Sequence, residues 1–304
     1  MSTSPDGRTA SAPPGGGVIH DIGYRHYEGA RLGRAAIVRA LYVDSLRSAF
    51  GLGRSAKSKV MPFLLLAAIA FPAFVVAIVI NVTGQDEFPF ELTSYAFLLY
   101  VPLSLYVAGQ APASVSRDLR FRVVSLYFSR QLLRQDYVAA KYAALSTAVL
   151  GLLALPLLLL GAGGLLAGFP ASDTLAQLGQ GLVGAAVTAP VMAGVGLLLA
   201  SVTPRRGLGV AAVIAFFVVV TGVQNALQGL AVTQGRDDLA TWTTLAAPIS
   251  TVDTMIAWLF GTEPTASVVL PDGAQGLAWV AAAAALVVVP YLLLLVRYRT
   301  VSVS

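Results

Sequence analysis

Apolar residues along this chain gather into six long runs, and nearly all charge falls between them. The runs are 62–82, 92–115, 142–167, 178–202, 208–230 and 277–296. A hydrocarbon core of ~30 Å takes about 20 residues of apolar helix, so each run is long enough to cross a bilayer. The second is the least uniform, because it carries Ser104, Gln110 and Ser114, yet 95–113 holds no charge. The pattern predicts an all-α membrane protein with six transmembrane helices. Five of the runs hold an internal proline, at Pro72, Pro102, Pro156, Pro190 and Pro290. Bundled helices satisfy the carbonyls that such prolines free, at the cost of a kink. Small residues recur at helical spacing, as in Gly164-x-x-x-Gly168 and in Ala185, Ala189 and Ala193. That spacing lets helix backbones approach closely, within one chain or between two.

Two shorter segments follow different patterns. At 100° per residue, 35–50 places Ile37, Val38, Leu41, Tyr42, Leu46 and Ala49 on one side, and Asp44 and Arg47 on the other. This helix is too polar to span. With Arg34, Arg54, Lys57 and Lys59 flanking it, it is expected to lie in the membrane interface, as a plain anchor or as a lever before the first span. The segment 249–260 is apolar and aromatic but too short to span. It predicts a re-entrant or interfacial helix in the long connection before the last run. Asp253, its only charge, is expected to start that helix or face water; contact with substrate is the alternative.

Composition agrees with a lipid solvent: 57% of residues are apolar and 12% charged, against about 25% charged in ordinary soluble domains. Residues 1–17 are rich in Ser, Pro, Gly and Thr with no apolar centre, which predicts a disordered tail and no secretory signal. Residues 18–61 then form a cytoplasmic segment carrying the amphipathic helix, and 62–304 the six-span domain.

Charge orients the spans. With the N-terminus cytoplasmic, nineteen of the twenty Lys and Arg residues fall on the cytoplasmic side, and only Arg236 falls outside. Nine of the fifteen acidic residues fall outside. Basic residues concentrate on the cytoplasmic side of membrane proteins, so both termini are expected there, in a multi-pass protein of the cell membrane. A pI near 9.6 would also suit nucleic acid, but this placement assigns the basic residues to topology and to anionic lipid, with no nucleic-acid partner.

The loop 116–141 is long and mixes Arg117, Arg120, Arg122, Arg130 and Arg134 with Val124, Leu126, Tyr127 and Phe128. Aromatics among arginines suit a protein interface; arginines that only enforce topology and bind lipid are the alternative. Arg134 and Asp136 are expected to orient the start of the third span. In the fifth run Gln224, Asn225 and Gln228 cluster, the two glutamines on one helix face. Amides in apolar surroundings need partners, so these bond neighbouring helices or line a path.

Several chemistries find no residues. No cysteine is present, which removes disulfides, thiolate metal sites and cysteine nucleophiles. No G-x-x-x-x-G-K-[ST] loop or H-E-x-x-H motif occurs, and the only histidines are His20 and His26. No enzymatic grouping and no bound cofactor is expected in this chain. The lack of a charge deep in any run counts against a secondary carrier, which usually needs one.

The passage LYFSRQLLRQDYVAAKY at 126–142 resembles the "SRPLSR…Y…GK" passage that leads into the third span of permease subunits of ABC-2-type ABC transporters. Gln131 stands where proline is common there, and Ala140 where glycine is common. The stretch GYRHYEGARLGR at 23–34 is similar to the start of some actinobacterial members. The order of elements from Asp21 onward also resembles that family: amphipathic elbow helix, six spans, a coupling segment between the second and third, and short outer helices before the last. The resemblance implies the permease of an ATP-driven exporter. A second permease subunit would pair with it, identical or related. A separate ATPase subunit would hold ATP and magnesium and dock on Arg122, Tyr127, Phe128, Arg130, Arg134 and Asp136. The path would pass Gln224, Asn225 and Gln228. A non-ATP carrier and a membrane scaffold are the rival readings.

Overall fold

The computed structural model describes Gly29 and residues 33–53, 55–120, 127, 132–203 and 205–300. The tail 1–17, both histidines, most of 23–34, and Arg122, Phe128 and Arg130 lie outside the described residues.

Helix α1 (Arg34–Ala49) turns its apolar side inward as its periodicity requires. Leu41 and Ala49 are buried, and Ile37, Val38, Tyr42 and Leu46 are partly buried against the main core. Arg39, Asp44 and Arg47 stay exposed. The chain then reverses through Gly51 and Gly53, both at positive φ. A Cβ on Gly51 would also strike the carbonyl of Ser58, so glycine is required there twice over.

Helix α2 (Ala56–Thr83) follows. The next helix is broken into α3 (Leu92–Leu98) and α4 (Tyr100–Ser114), bent by 58°. Pro102 explains the break: its ring has no N–H and clashes with the carbonyl four residues earlier, at Leu98. The single helix expected over 92–115 is therefore two pieces. A short α5 (Ser116–Arg120) leads to the loop, after which come α6 (Arg134–Leu166), α7 (Ala171–Val202) and α8 (Arg206–Thr233). Helices α9 (Asp237–Trp242) and α10 (Pro248–Phe260) precede the last, α11 (Leu277–Thr300).

Five of these helices are long and apolar enough to cross a membrane, or six if the bent pair counts as one. Among the described residues there is no strand. α6 and α7 form the centre, with 50% and 61% of their apolar windows buried. α2, α8 and α11 have only 22%, 28% and 22% buried. Their outward faces, with Phe71, Phe74, Val218, Val219, Leu292 and Leu293, remain exposed. An apolar surface this continuous suits lipid and not water. α6 runs eight residues further toward its N-terminus than the apolar run that predicts it.

Small residues close the bundle. A Cβ on Gly163 would lie 2.6 Å from that of Ala77, so α6 and α2 meet nearly backbone to backbone, and Asn81 Nδ2 donates to the Gly163 carbonyl at 2.9 Å. Gly164 packs on Phe88 and Phe169, and Ala185, Ala189 and Ala193 are buried. The alanine spacing thus serves contacts within the chain, whereas Gly168 lies past the end of α6 at φ 89°, where an added Cβ would meet no neighbour within 4 Å, so it does not pair with Gly164 as a helix-packing motif.

Candidate functional site

Contacts bring Arg34, Ser116, Asp118, Asp136, Lys141, Ala200 and Tyr298 together at one end of the bundle, the basic end. They group Phe88 with Phe169, Thr93 with Thr262, and Gln228 with Ala266 at the other, the acidic end. The loop expected to couple begins and ends at the basic end, where polar side chains from four helices meet. Ser116 Oγ donates to the Ala200 carbonyl at 2.9 Å, pinning α5 to α7. Asp118 on α5 accepts the Tyr137 hydroxyl at 2.8 Å and pairs with Lys141 Nζ at 3.0 Å. Lys141 also donates to the Ser114 carbonyl at 3.0 Å. Tyr137 and Lys141, one turn apart on α6, share a face. The ammonium stands 5.5 Å from the centre of the Tyr137 ring.

That ring lies between two others, Tyr127 of the loop at 5.9 Å and Tyr298 of α11 at 5.1 Å. Tyr137 is fully buried, and the Lys141 and Asp118 side chains are only 10% and 18% exposed. Charges this enclosed are stable only when paired, which fixes the loop's two ends against α4, α6 and α11.

A second link joins α1 to the same helix. Arg34 holds Asp136 through Nε and Nη2, both at 2.7 Å, the two-pronged geometry guanidinium favours with carboxylate. Asp136 also accepts the Leu133 N–H at 3.0 Å, capping the first turn of α6. Tyr42, two turns further along α1, donates to Thr147 Oγ1 of α6 at 3.0 Å. Asp136 therefore does orient the start of α6. Its long-range partner, 102 residues away in the chain, leaves no sequence pattern. Tyr137 and Lys141 drew notice in the sequence only within the family-like passage, and Asp118 not at all. Tyr127 is half-buried against the core and not freely presented. Arg134 opens α6, half-buried.

At the acidic end the fifth-run amides form a chain. Ser250 of α10 donates to Gln224 Oε1 at 3.1 Å. Gln224 Nε2 donates to Gln228 Oε1 at 2.9 Å, and Gln228 Nε2 to the Ala266 carbonyl at 2.8 Å. Asn225 is exposed. Asp253, expected at a helix start or in water, instead sits in the middle of α10 with 7% exposure. It accepts the N–H groups of Thr265 and Ala266 at 3.1 and 2.8 Å. Residues 265–266 are thus held from both sides, by Gln228 of α8 and Asp253 of α10. The partners come from a loop that follows the helix, and that is why a lone acid among apolar residues read as a surface group.

Burial raises the Asp253 carboxyl to about 6, against the opposing pull of Ala266, Thr265 and the Ser94 hydroxyl. Burial, and then the neighbouring charge of Glu263, raises Glu91 as well. A carboxyl raised on folding contributes stability that is full below its unfolded pKa and is lost as pH climbs through the folded value. The protein is therefore expected to be more stable at pH ~5 than at pH ~7, by ~1 kcal/mol from Asp253 alone. Melting of the purified protein at both pH values measures this. Asp253→Asn should flatten most of the difference, and an undiminished difference in that variant would show that Asp253 is not its source.

No protein-family model matches the sequence, and no curated protein matches it.

Proposed function

We propose that this chain is the permease subunit of an ATP-driven exporter of the ABC-2 type. The observation that carries the reading is the Asp118–Tyr137–Lys141 cluster. It ties both ends of the long basic loop to the feet of several long apolar helices. A partner pressing on that loop would move helices and not merely a flexible connection. The Arg34–Asp136 bond gives α1 a hold on the same helix, as a lever lying along the membrane surface requires. The family-like passage at 126–142 coincides with this cluster.

In this reading the chain crosses the cell membrane six times with both termini in the cytoplasm, and pairs with a second permease. ATP and magnesium belong to the separate ATPase subunit, which docks on the loop through Arg122, Tyr127, Phe128, Arg130, Arg134 and Asp136. Closure of the ATPases draws on the loop and on α1, and α6 carries the motion into the bundle. The path runs past Gln224, Asn225 and Gln228. Their clasp on residues 265–266 ties that path to the far-side connection.

The test is to look for a lone ATPase domain encoded beside this gene and, where one is found, to co-express the two. A stable complex whose ATP turnover depends on the permease is expected. Arg122→Glu with Arg130→Glu should weaken it at least tenfold, the scale of an interface anchor worth about 2 kcal/mol. Those charges are the cleaner choice, because Tyr127→Ala would also remove a contact to the buried Tyr137 ring. A protein that folds and inserts but captures no ATPase would favour the carrier or scaffold reading.

A further inference from the structure

Beside α1 the surface opens into a groove of about 760 Å³, within the usual size range of small-molecule sites. Its floor is the small-residue face of α6, Ala139, Ala140 and Ala143, and its wall is Ala35, Val38 and Tyr42 of α1. The Tyr42 hydroxyl is already spent on Thr147, so the lining offers an occupant almost only carbon. The rim is different: Arg34, Arg39 and Asp136 stand there.

Among the described residues, charge at that rim does not balance. Asp136 is matched by Arg34 through Nε and Nη2, and the Arg34 side chain remains 47% exposed. Arg39 is exposed and has no acidic partner among the described residues. The groove therefore joins an apolar trough to one uncompensated guanidinium, with Nη1 of a second beside it. Its level in the bundle is set by α6. Ala139, Ala140 and Ala143 flank Lys141, the last charge before the long apolar run of that helix. The trough thus opens at the depth where headgroups give way to acyl chains.

We propose that this groove binds one anionic phospholipid of the leaflet at the basic end, its phosphate on Arg39 and Arg34 and an acyl chain along the alanine face. A soluble acidic ligand would use the rim and leave the apolar floor wet. A neutral lipid would use the floor and leave Arg39 unmatched. Only an amphiphile with a net negative headgroup satisfies both. Bound there, it would bridge α1 and α6 alongside the Arg34–Asp136 bond. The proposal rests on the membrane reading and not on the transport reading, so a failed ATPase capture would leave it standing.

Native mass spectrometry of the full chain in detergent, titrated with dioleoyl phosphatidylglycerol or dioleoyl phosphatidylcholine, tests it. Preferential retention of one phosphatidylglycerol is expected. R39Q should weaken that retention roughly fivefold, the typical worth of one basic residue at a lipid headgroup. R47Q, on the same helix but outside the groove, should leave it unchanged. A143L fills the floor at an exposed position without altering charge, and should weaken both lipids. Equal retention of the two lipids by the wild type would overturn the proposal. So would equal losses in R39Q and R47Q, or undiminished phosphatidylglycerol binding in A143L. The elution profile of each variant distinguishes lost binding from lost folding.

Discussion

Replacing Lys141 with methionine is expected to destabilise the protein by ~3 kcal/mol, because it strips a buried charge of its partner. Methionine keeps most of the apolar stem, so packing changes little. Asp118 would keep only the Tyr137 hydroxyl of the bonds described above, and the Ser114 carbonyl would lose its donor. Most of the cost arises from the orphaned carboxylate, and this makes a second prediction of order. Asp118→Asn combined with Lys141→Met should recover part of the loss, leaving the double variant more stable than Lys141→Met alone. Thermal melting followed by size-exclusion recovery gives the ranking. If Lys141→Met melts with the wild type, the cluster does not hold the loop. In the permease reading the same variant should also spend ATP without moving substrate, since the link between loop and helices is the part removed.

A comparable loss, ~3–5 kcal/mol, is expected for Trp279→Ala, which empties the second core of the molecule. Trp279 is fully buried and packs with Val191 of α7 and with Val252, Met255 and Ile256 of α10. Its ring lies 4.8 Å from that of Trp242, and its Nε1 donates to Thr244 Oγ1 at 2.8 Å. This one side chain joins α11 to the short helices at the acidic end. Trp279→Phe separates the contributions: it keeps most of the volume and gives up the hydrogen bond, for a cost of ~1 kcal/mol. Equal melting of the two variants would mean that the hydrogen bond and not the buried ring carries the site.

Much of this architecture is legible in the chain because a bilayer-length helix needs a long uniform run. All six runs became helix, with the one at 92–115 split where Pro102 forbids continuation. Periodicity also found α1 and its inward face, and length identified α10 as too short to span. Side-chain partnerships were far less legible. Asp253 looked like a surface acid because its partners are backbone N–H groups, which sequence does not distinguish. Lys141 sits at the edge of an apolar run, where a lysine ordinarily marks the membrane boundary. Only its pairing with Asp118 across α5 shows a second role. The three amides were visible as a cluster, but Ser250, which extends it, belongs to a helix that follows in the chain and has no periodic relation to them.

The central claim is that the loop between α5 and α6 receives an ATPase. It is tested most directly by placing a photo-crosslinking residue at position 122 in the co-expressed complex, with position 86 at the opposite end of the bundle as control. The account predicts an ATP-dependent crosslink to the ATPase from 122 and none from 86. A complex that forms and turns over ATP, yet crosslinks from 86 and never from 122, would contradict both the docking site and the orientation of the bundle.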